Sequence, residues 1–381
     1  MRIATLQFAP KVGDVEGNLA RANEVLRNAE IRSPAGVVSK VDEGLGLDLL
    51  VLPELALTGY NFPSLRAIRP YLEVAGQGPS ATWAKETARR LGCKVCVGYP
   101  ELAIEDDDGS SGGETEKCYN SLLVVDELGN VILNYRKAFL YYTDETWASE
   151  GIPEHGFQEL IFRKNKKTNN PVSIATSFGI CMDINPYKFE APFSAWEFAN
   201  RVLDSKSQLV VLSMAWLTLL SRDELDLLAH KPELDTFNYW VQRFLPLVRT
   251  KMKHDVNGDG DEGASDSESA KQIIIVFANR AGEEEGSTLA RYAGTSAIIA
   301  VTQRPRRGVH ERGEGRIQGD LSTNDKVAQG EDPPSSVHPP NPFDVRILCW
   351  DMMGATTEGV CYADTTADPT MVFQLVKASE S

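Results

Sequence analysis

Long apolar runs and an excess of basic residues are both missing from the sequence. No apolar run approaches the roughly 18 to 20 residues that a bilayer-spanning helix needs, so we expect no membrane association. Lys and Arg number 39 against 54 Asp and Glu, which gives a formal net charge of −15. This deficit of basic residues argues against a nucleic-acid partner and against binding to an anionic membrane surface.

Cysteine and histidine are also scarce. Six cysteines in 381 residues are too few for a disulfide framework, so we expect a reducing compartment and a cytoplasmic location. The five histidines are scattered, and no HExxH motif or His/Cys zinc cluster occurs, so we expect no metal. The first residues, MRIATLQFAP, lack the apolar core of a signal peptide and are typical of a first strand.

Apolar residues make up 42% of the chain, which is enough to build a substantial core. Short runs rich in β-branched residues recur between turn signals, as strands do. They cover residues 3–8, 47–52, 95–98, 122–126, 131–135, 172–176, 209–213, 273–278 and 297–301. The fourth and fifth are separated by a short turn, which favours a hairpin and therefore a mixed sheet.

Helical spacing appears between several of these runs, which predicts an α/β protein. One set is Leu19, Ala22, Leu26 and Ala29; another is Leu234, Phe237, Val241, Phe244 and Val248. Two polar stretches, at about 251–271 and 303–343, interrupt the pattern, and strand-like runs resume after each. We therefore expect a single domain over 1–381 with two surface insertions.

Cys181 follows a predicted strand and a glycine, in the segment FGICMD. A turn at a strand end exposes a nucleophile while nearby backbone N–H groups face the reacting carbonyl. The alternative is a buried thiol that only packs.

Two further charged residues close predicted strands. Glu54, in LVLPEL, lies beside apolar residues that can raise the pKa of a carboxyl group, which suits a general base. Lys137, in NYRKAF, can donate to an oxyanion. A solvated acid or ion-pair partner and a surface lysine are the respective alternatives.

Together, Glu54, Lys137 and Cys181 resemble the catalytic set of the nitrilase (carbon–nitrogen hydrolase) superfamily. The resemblance covers most of the chain and rests on the segments ATLQFAPKVGDVEGNL, LVLPELALTGY, YRKAFLYYTDE, GICMDINP and IIIVFANRAGEEEGSTLARYAGTSAII. It implies an αββα sandwich of two mixed sheets and an amidase that needs no cofactor. Within the superfamily, RKAFLYYTDETWASEG, GICMDINPYKFEAP and LSMAWL resemble the fungal protein N-terminal amidases.

That resemblance implies hydrolysis of the side-chain amide of N-terminal Asn or Gln in peptides and proteins. The products are ammonia and an N-terminal Asp or Glu, which can feed an N-degron pathway. It also implies that Glu54 is the base, Cys181 the nucleophile, and Lys137 an oxyanion donor together with a backbone N–H near Met182.

The family usually carries a second glutamate after the lysine. Glu145, in TDETW, is the first candidate and Glu150 the second; the role would be to orient Lys137 or the substrate.

Recognition of the substrate's α-ammonium group calls for a carboxylate in a partly closed pocket. Asp183 and Glu190, which follow the nucleophile in sequence, are candidates for it. Trp147 and Trp216 follow motif segments and are candidates to line the pocket. Glycines, other tryptophans or main-chain carbonyls are alternatives.

Three other functions stay open at this point. A free ω-amide or N-carbamoyl amidase of the same superfamily would act on small metabolites and show no preference for a peptide end. A catalytically inactive binding protein could use the same scaffold. A metal-dependent amidohydrolase would lose its activity to a chelator.

Overall fold

The structure of the chain is a computed structural model. It describes residues 1–32, 38–41, 45–106, 114–162, 170–252, 271–286, 288–305 and 343–374. The two predicted insertions, at 251–271 and 303–343, lie almost entirely outside these residues, so the single-domain boundary stays a prediction. No helix within the described ranges is long and apolar enough to cross a membrane.

The first sheet has six strands in the order β16-β1-β4-β5-β6-β7. Its strands are β1 (Arg2–Gln7), β4 (Leu49–Val51), β5 (Lys94–Asp106), β6 (Glu114–Val125), β7 (Val131–Arg136) and β16 (Gly359–Asp364). β1, β4 and β5 run parallel, whereas β5, β6 and β7 form an antiparallel meander. The predicted hairpin is the β6–β7 pair.

The second sheet has seven strands in the order β17-β15-β14-β11-β10-β9-β8. They are β8 (Phe157–Phe162), β9 (Val172–Ile180), β10 (Leu209–Met214), β11 (Lys271–Asn279), β14 (Ala297–Pro305), β15 (Phe343–Met352) and β17 (Met371–Gln374). β9, β10 and β11 are parallel, and the other pairs are antiparallel. Two small ribbons pair β2 (Glu30–Arg32) with β3 (Val38–Lys40), and β12 (Glu283–Glu284) with β13 (Ala290–Arg291).

Seven α-helices accompany these strands in the described part of the chain. They are α1 (Val15–Asn28), α2 (Leu65–Ile68), α3 (Gly78–Leu91), α4 (Glu197–Asp204), α5 (Arg222–Leu228), α6 (Leu234–Arg243) and α7 (Leu245–Arg249). The 3-4-3-4 spacing predicted a continuous helix from Leu234 to Val248, but the helix is broken at Phe244. Pro246 has no backbone N–H and fits only the first turn of a new helix.

Alternation along the first sheet shows how the layers are arranged. In β4, Leu49 and Val51 belong to the core cluster that contains strand residues of the second sheet, whereas Leu50 packs in the cluster shared with α1 and α3. Since successive strand residues point to opposite faces, one face of this sheet meets the second sheet and the other meets helices.

On the far side of the second sheet, Trp240 of α6 stacks on Phe277 of β11 at a centroid distance of 5.0 Å. The order of layers is thus helix, sheet, sheet, helix, which confirms the expected αββα sandwich. Each of the nine strand-like runs overlaps a strand of the two main sheets.

Candidate active site

The ends of three strands bring the candidate catalytic residues together in one buried site. Glu54 lies in the turn after β4, Lys137 follows β7 directly, and Cys181 follows β9 directly. Glu54 and Lys137 are completely buried, and Cys181 is 8% exposed. The first two residues come from one sheet and the third comes from the other, so the site lies where the two layers meet.

Glu54 and Lys137 are in direct contact. Lys137 Nζ lies 2.6 Å from Glu54 Oε1 and also 2.6 Å from Asp144 Oδ2. Asn120 Nδ2 donates to Glu54 Oε1 at 2.7 Å and to Asp144 Oδ1 at 3.0 Å. The backbone N–H of Ala215 donates to Glu54 Oε2 at 2.8 Å, so both oxygens of this buried carboxylate are satisfied.

Burial and charge move the pKa values of this group in defined directions. Burial raises the pKa of the Glu54 carboxyl, against the opposing effect of Lys137. Burial lowers the pKa of Lys137, but Asp144 and Glu54 outweigh it and the net shift is upward. Lys137 therefore stays protonated across the physiological pH range, and its positive charge lies between two carboxyl groups.

Cys181 occupies a strained backbone position. Its φ is +40°, in a region that residues with a side chain rarely adopt, and it begins a turn of 3₁₀ helix, Cys181–Ile184. Burial, together with the nearby Glu54 charge, raises the pKa of the thiol well above its ordinary value. The resting group is thus the thiol, and nucleophilic attack needs a base at the moment of reaction.

The structure places the neighbour of Glu145, rather than Glu145 itself, beside Lys137. Glu145 is exposed and does not contact Lys137, while its neighbour Asp144 is completely buried against it. Glu150, the second candidate, is also exposed and accepts a hydrogen bond from Tyr187 Oη. A 3₁₀ turn, Asp144–Thr146, presents Asp144 inward; so short a turn leaves no periodic signal from which the inward residue could be predicted.

Asp183 is not available to a substrate. It is completely buried, and its carboxylate accepts hydrogen bonds from Tyr135 Oη and from the backbone N–H groups of Ala138, Phe139 and Ile180, at 2.8–3.1 Å. These bonds tie the segment after Lys137 to the segment that carries Cys181. The structure does not support the prediction that Asp183 binds the α-ammonium group, because its carboxylate already holds together the two segments that carry Lys137 and Cys181.

Of the other three predicted binding residues, one lines the cavity at Cys181 and two do not. Glu190 is exposed and does not line the cavity at Cys181. Trp147 is buried in an apolar cluster with Tyr60, which lines the cavity, but Trp147 does not line it itself. Trp216 does line the cavity, as expected.

A cavity of about 470 Å³ opens onto Cys181, within the size range of small-ligand sites. Its walls are mostly apolar and aromatic, with a few polar groups. The aromatic and polar lining residues are Tyr60, Tyr141, Phe189, Trp216, Tyr239, Asn185, Thr236, Glu233 and Asp235. Sequence reasoning missed nearly all of them because they come from segments far apart in the chain.

The described residues contain no cluster of His, Cys, Asp and Glu that could hold a metal ion.

Comparisons with known proteins agree with this geometry. The carbon–nitrogen hydrolase family profile matches residues 2–184, the part that carries all three candidate catalytic residues. The sandwich fold and this match define the class: an enzyme that hydrolyses amide carbon–nitrogen bonds.

Two curated relatives extend over most of the chain. A protein N-terminal amidase of Schizosaccharomyces pombe is 31% identical, over 80% of this chain and 92% of its own. The Saccharomyces cerevisiae protein N-terminal amidase is 27% identical, over 86% of this chain and 91% of its own. The chain therefore belongs to the protein N-terminal amidase family of carbon–nitrogen hydrolases.

Solved structures of an N-terminal amidase are similar to this fold. A complex with a Gln-Val peptide superimposes with a TM-score of 0.61 at 25% identity, covering 79% of this chain and 90% of that one. A complex with an Asn-Glu-Ala peptide gives a TM-score of 0.60 at the same identity and coverage.

Proposed function

We propose that this enzyme hydrolyses the side-chain amide of N-terminal Asn or Gln in peptides and proteins, releasing ammonia and leaving Asp or Glu. The names of its curated relatives and the peptides bound in the similar structures support this activity. The altered N-terminus is the kind of product that an N-degron pathway consumes, and we place the enzyme in the cytoplasm.

The charge of the cavity is the observation that favours a peptide end over a free metabolite. Glu233 and Asp235 are the charged residues among its described lining, and no Lys, Arg or His lines it. A free ω-amide such as glutamine carries an α-carboxylate, which would lie unpaired in this cavity. In a peptide that carboxylate has become a neutral amide, and the remaining charge is the α-ammonium, which suits an acidic wall.

Acylation begins at the thiol. Glu54 takes the proton of Cys181, and the sulfur forms a bond to the side-chain amide carbon. Lys137 and the backbone N–H of Met182 stabilise the oxyanion of the tetrahedral intermediate. When the carbon–nitrogen bond breaks, Glu54 returns the proton to the leaving nitrogen, and ammonia departs from a thioester.

Deacylation uses the same base. Glu54 takes a proton from water, the resulting hydroxide forms a bond to the thioester carbon, and the carbon–sulfur bond breaks. The proton returns to the sulfur of Cys181, and the carboxylic acid product leaves. Asp144 keeps Lys137 protonated and fixed in place, because the lysine ammonium lies between two carboxyl groups and all three side chains are completely buried.

The test is to incubate the enzyme with peptides that begin with Asn or Gln and to measure ammonia and the mass gain of about 1 Da expected for replacement of NH₂ by OH. The controls are the N-acetylated peptides, free glutamine and the Cys181→Ala variant. We expect turnover of free-amine peptides alone, and none with Cys181→Ala.

Equal or better turnover of free glutamine would instead make the enzyme a metabolite amidase. No turnover of any of these substrates by a folded protein would contradict the proposed activity and favour the binding-protein alternative.

A further inference from the structure

One carboxylate oxygen in the wall of the cavity at Cys181 has no hydrogen-bond partner in the described part of the chain. Glu233 lines the cavity, is 9% exposed, and immediately precedes α6. Its Oε1 accepts a hydrogen bond from Thr236 Oγ1 at 2.7 Å. Its Oε2 is buried and has no hydrogen-bond partner among the described residues.

The carboxylate is held in a fixed place. The backbone N–H of Glu233 donates to Thr295 Oγ1 at 2.9 Å, and Thr295 is completely buried. Together with the Thr236 contact, this anchors both the main chain and one carboxylate oxygen. The carboxylate group is thus prepared in advance, which lowers the entropy lost when a ligand binds.

A buried carboxylate oxygen without a donor is costly, since it has given up water and gained nothing in exchange. Among the described residues that line the cavity, no Lys or Arg is present to supply a donor. A ligand in the cavity can supply the missing donor, and a cation with N–H groups fits this oxygen in both charge and hydrogen bonding.

We propose that Glu233 is the receptor for the α-ammonium group of the substrate's N-terminal residue, an assignment that rests on the proposed function. Occupation of Oε2 by the ammonium fixes the N-terminal residue while its side-chain amide lies at Cys181. An acetylated or otherwise blocked end cannot supply the charge, so it leaves the buried carboxylate unpaired.

Asp235 is the other acidic residue of the lining, and it serves this role less well. It is exposed on the first turn of α6, where water competes for its oxygens and solvent screens its charge. A contact with Glu233 is shielded from both effects, so it discriminates more strongly between charged and neutral ends.

The experiment compares Glu233→Gln with the wild type on two matched peptides. One begins with Gln, and the other is its des-amino analogue, in which hydrogen replaces the α-ammonium. The wild type should prefer the amine, and Glu233→Gln should lose about 10- to 200-fold in kcat/KM on it, the value of one charge-assisted hydrogen bond. The loss should fall mainly on KM, and the variant should treat the two peptides nearly alike.

Two controls separate recognition from damage to the site. Glu190→Gln removes the same charge from an exposed residue outside the cavity and should match the wild type. The rate at which iodoacetamide, a neutral reagent without an amine, alkylates Cys181 should be the same in Glu233→Gln and in the wild type. If Glu233→Gln does not fold, Glu233→Asp keeps the charge, retracts the oxygen and should show the same amine-selective loss.

The pH profile gives an independent measure. An α-amino group loses its proton near pH 8, so wild-type kcat/KM on the Gln peptide should fall above that pH. Glu233→Gln should lose this alkaline decline in part or in full, because it no longer depends on the charge.

The proposal is overturned if Glu233→Gln keeps the wild-type preference for the amine, or if Asp235→Asn shows the amine-selective loss in its place. A wild type that turns over the amine and des-amino peptides equally would count against the proposed N-terminal activity itself. The two failures are therefore distinguishable.

Discussion

Asp144 and Glu145 are adjacent carboxylates in opposite environments. Asp144 is completely buried with Lys137 Nζ at 2.6 Å, whereas Glu145 is exposed to solvent. We expect Asp144→Asn to lower kcat at least about 100-fold, because Lys137 loses part of the field that fixes it beside the developing oxyanion. Glu145→Gln should stay within about twofold of the wild type. Steady-state kinetics on a Gln peptide, with circular dichroism as a check on folding, decides between the two residues.

A large loss with Glu145→Gln and none with Asp144→Asn would return the role to the residue predicted from the sequence. The sequence pattern made Glu54, Lys137 and Cys181 candidates because each follows an apolar strand that is evident from the sequence. It did not identify Asp144, since the side of a single 3₁₀ turn that faces inward is decided by tertiary packing.

Because Asn120 donates a hydrogen bond to Glu54, a substitution of Asn120 tests through the pH dependence of kcat/KM whether Glu54 is the base. Its hydrogen bond to Glu54 Oε1 stabilises the ionised carboxylate and so lowers the carboxyl pKa, while burial raises it. Because catalysis needs the ionised base, kcat/KM should rise with pH through a pKa above the ordinary value for Glu. Removing the amide in Asn120→Ala should move this acid limb to still higher pH.

The measurement is a pH profile of kcat/KM for the wild type and Asn120→Ala, repeated with the rate of Cys181 alkylation, which needs no substrate. Both profiles should shift in the same direction. An acid limb that moves to lower pH, or that does not move, would mean that another group is the base.

At the scale of elements, a buried ion pair supports the loop that follows β4. Glu284 of β12 accepts hydrogen bonds from the backbone N–H groups of Tyr60 and Asn61 at 3.0–3.2 Å, and Arg280 pairs with it at 2.6 Å. Both charged side chains are completely buried. This loop carries Tyr60 to the cavity and to within 5.7 Å of Lys137 Nζ, measured to the ring centroid.

We expect Arg280→Met to lower the free energy of unfolding by about 3–5 kcal/mol, because it leaves the buried Glu284 charge unpaired. The double variant Arg280→Met with Glu284→Gln should lose less than the sum of the two single variants. Denaturant unfolding monitored by fluorescence measures each value. Arg222→Ala removes a largely exposed side chain that pairs with Asp226 and Glu283, and it should change stability by no more than about 0.5 kcal/mol.

Additive losses in this cycle would show that the pair does not act as a unit.

The sequence indicated neither this ion pair nor the loop that it supports. β12 and β13 have two residues each, too few to show an alternating pattern, and Glu284 lies more than 220 positions from the loop that it holds. Long, strongly apolar strands were predictable, whereas short ribbons and long-range polar contacts were not.

At the scale of the whole molecule, the site exists only because the two sheets face each other. Glu54 comes from one sheet and Cys181 from the other, and direct hydrogen bonds join the layers near them. Ser213 Oγ donates to the Leu52 carbonyl at 2.9 Å, and the Ala215 N–H donates to Glu54 at 2.8 Å. The strand pattern alone predicted an α/β protein, but the pairing of two sheets came only from resemblance, because many α/β folds share that pattern.

The second predicted insertion can be tested from the strands that flank it. β14 ends at Pro305 and β15 begins at Phe343, and these two residues are register partners in an antiparallel pair. The ends of segment 306–342 are therefore adjacent in space, so a short Asn-Gly turn can join the strands. We expect this replacement to keep kcat/KM on a Gln peptide within about twofold. It should raise the free energy of unfolding by up to about 2 kcal/mol, because a shorter loop costs less entropy to close.

As the control, residues 274–276 of β11 are replaced by Asn-Gly. This variant should not fold, because these residues pair with β10 on one side and with β14 on the other. A folded but inactive loop variant would show that segment 306–342 contributes to the active site. An unfolded variant would contradict the single-domain architecture, since a surface insertion between paired strands carries no part of the core. Retained activity and stability together would show that the sandwich carries all of the catalytic residues. We expect this result because every candidate catalytic residue lies at the end of a strand or in the turn beside it.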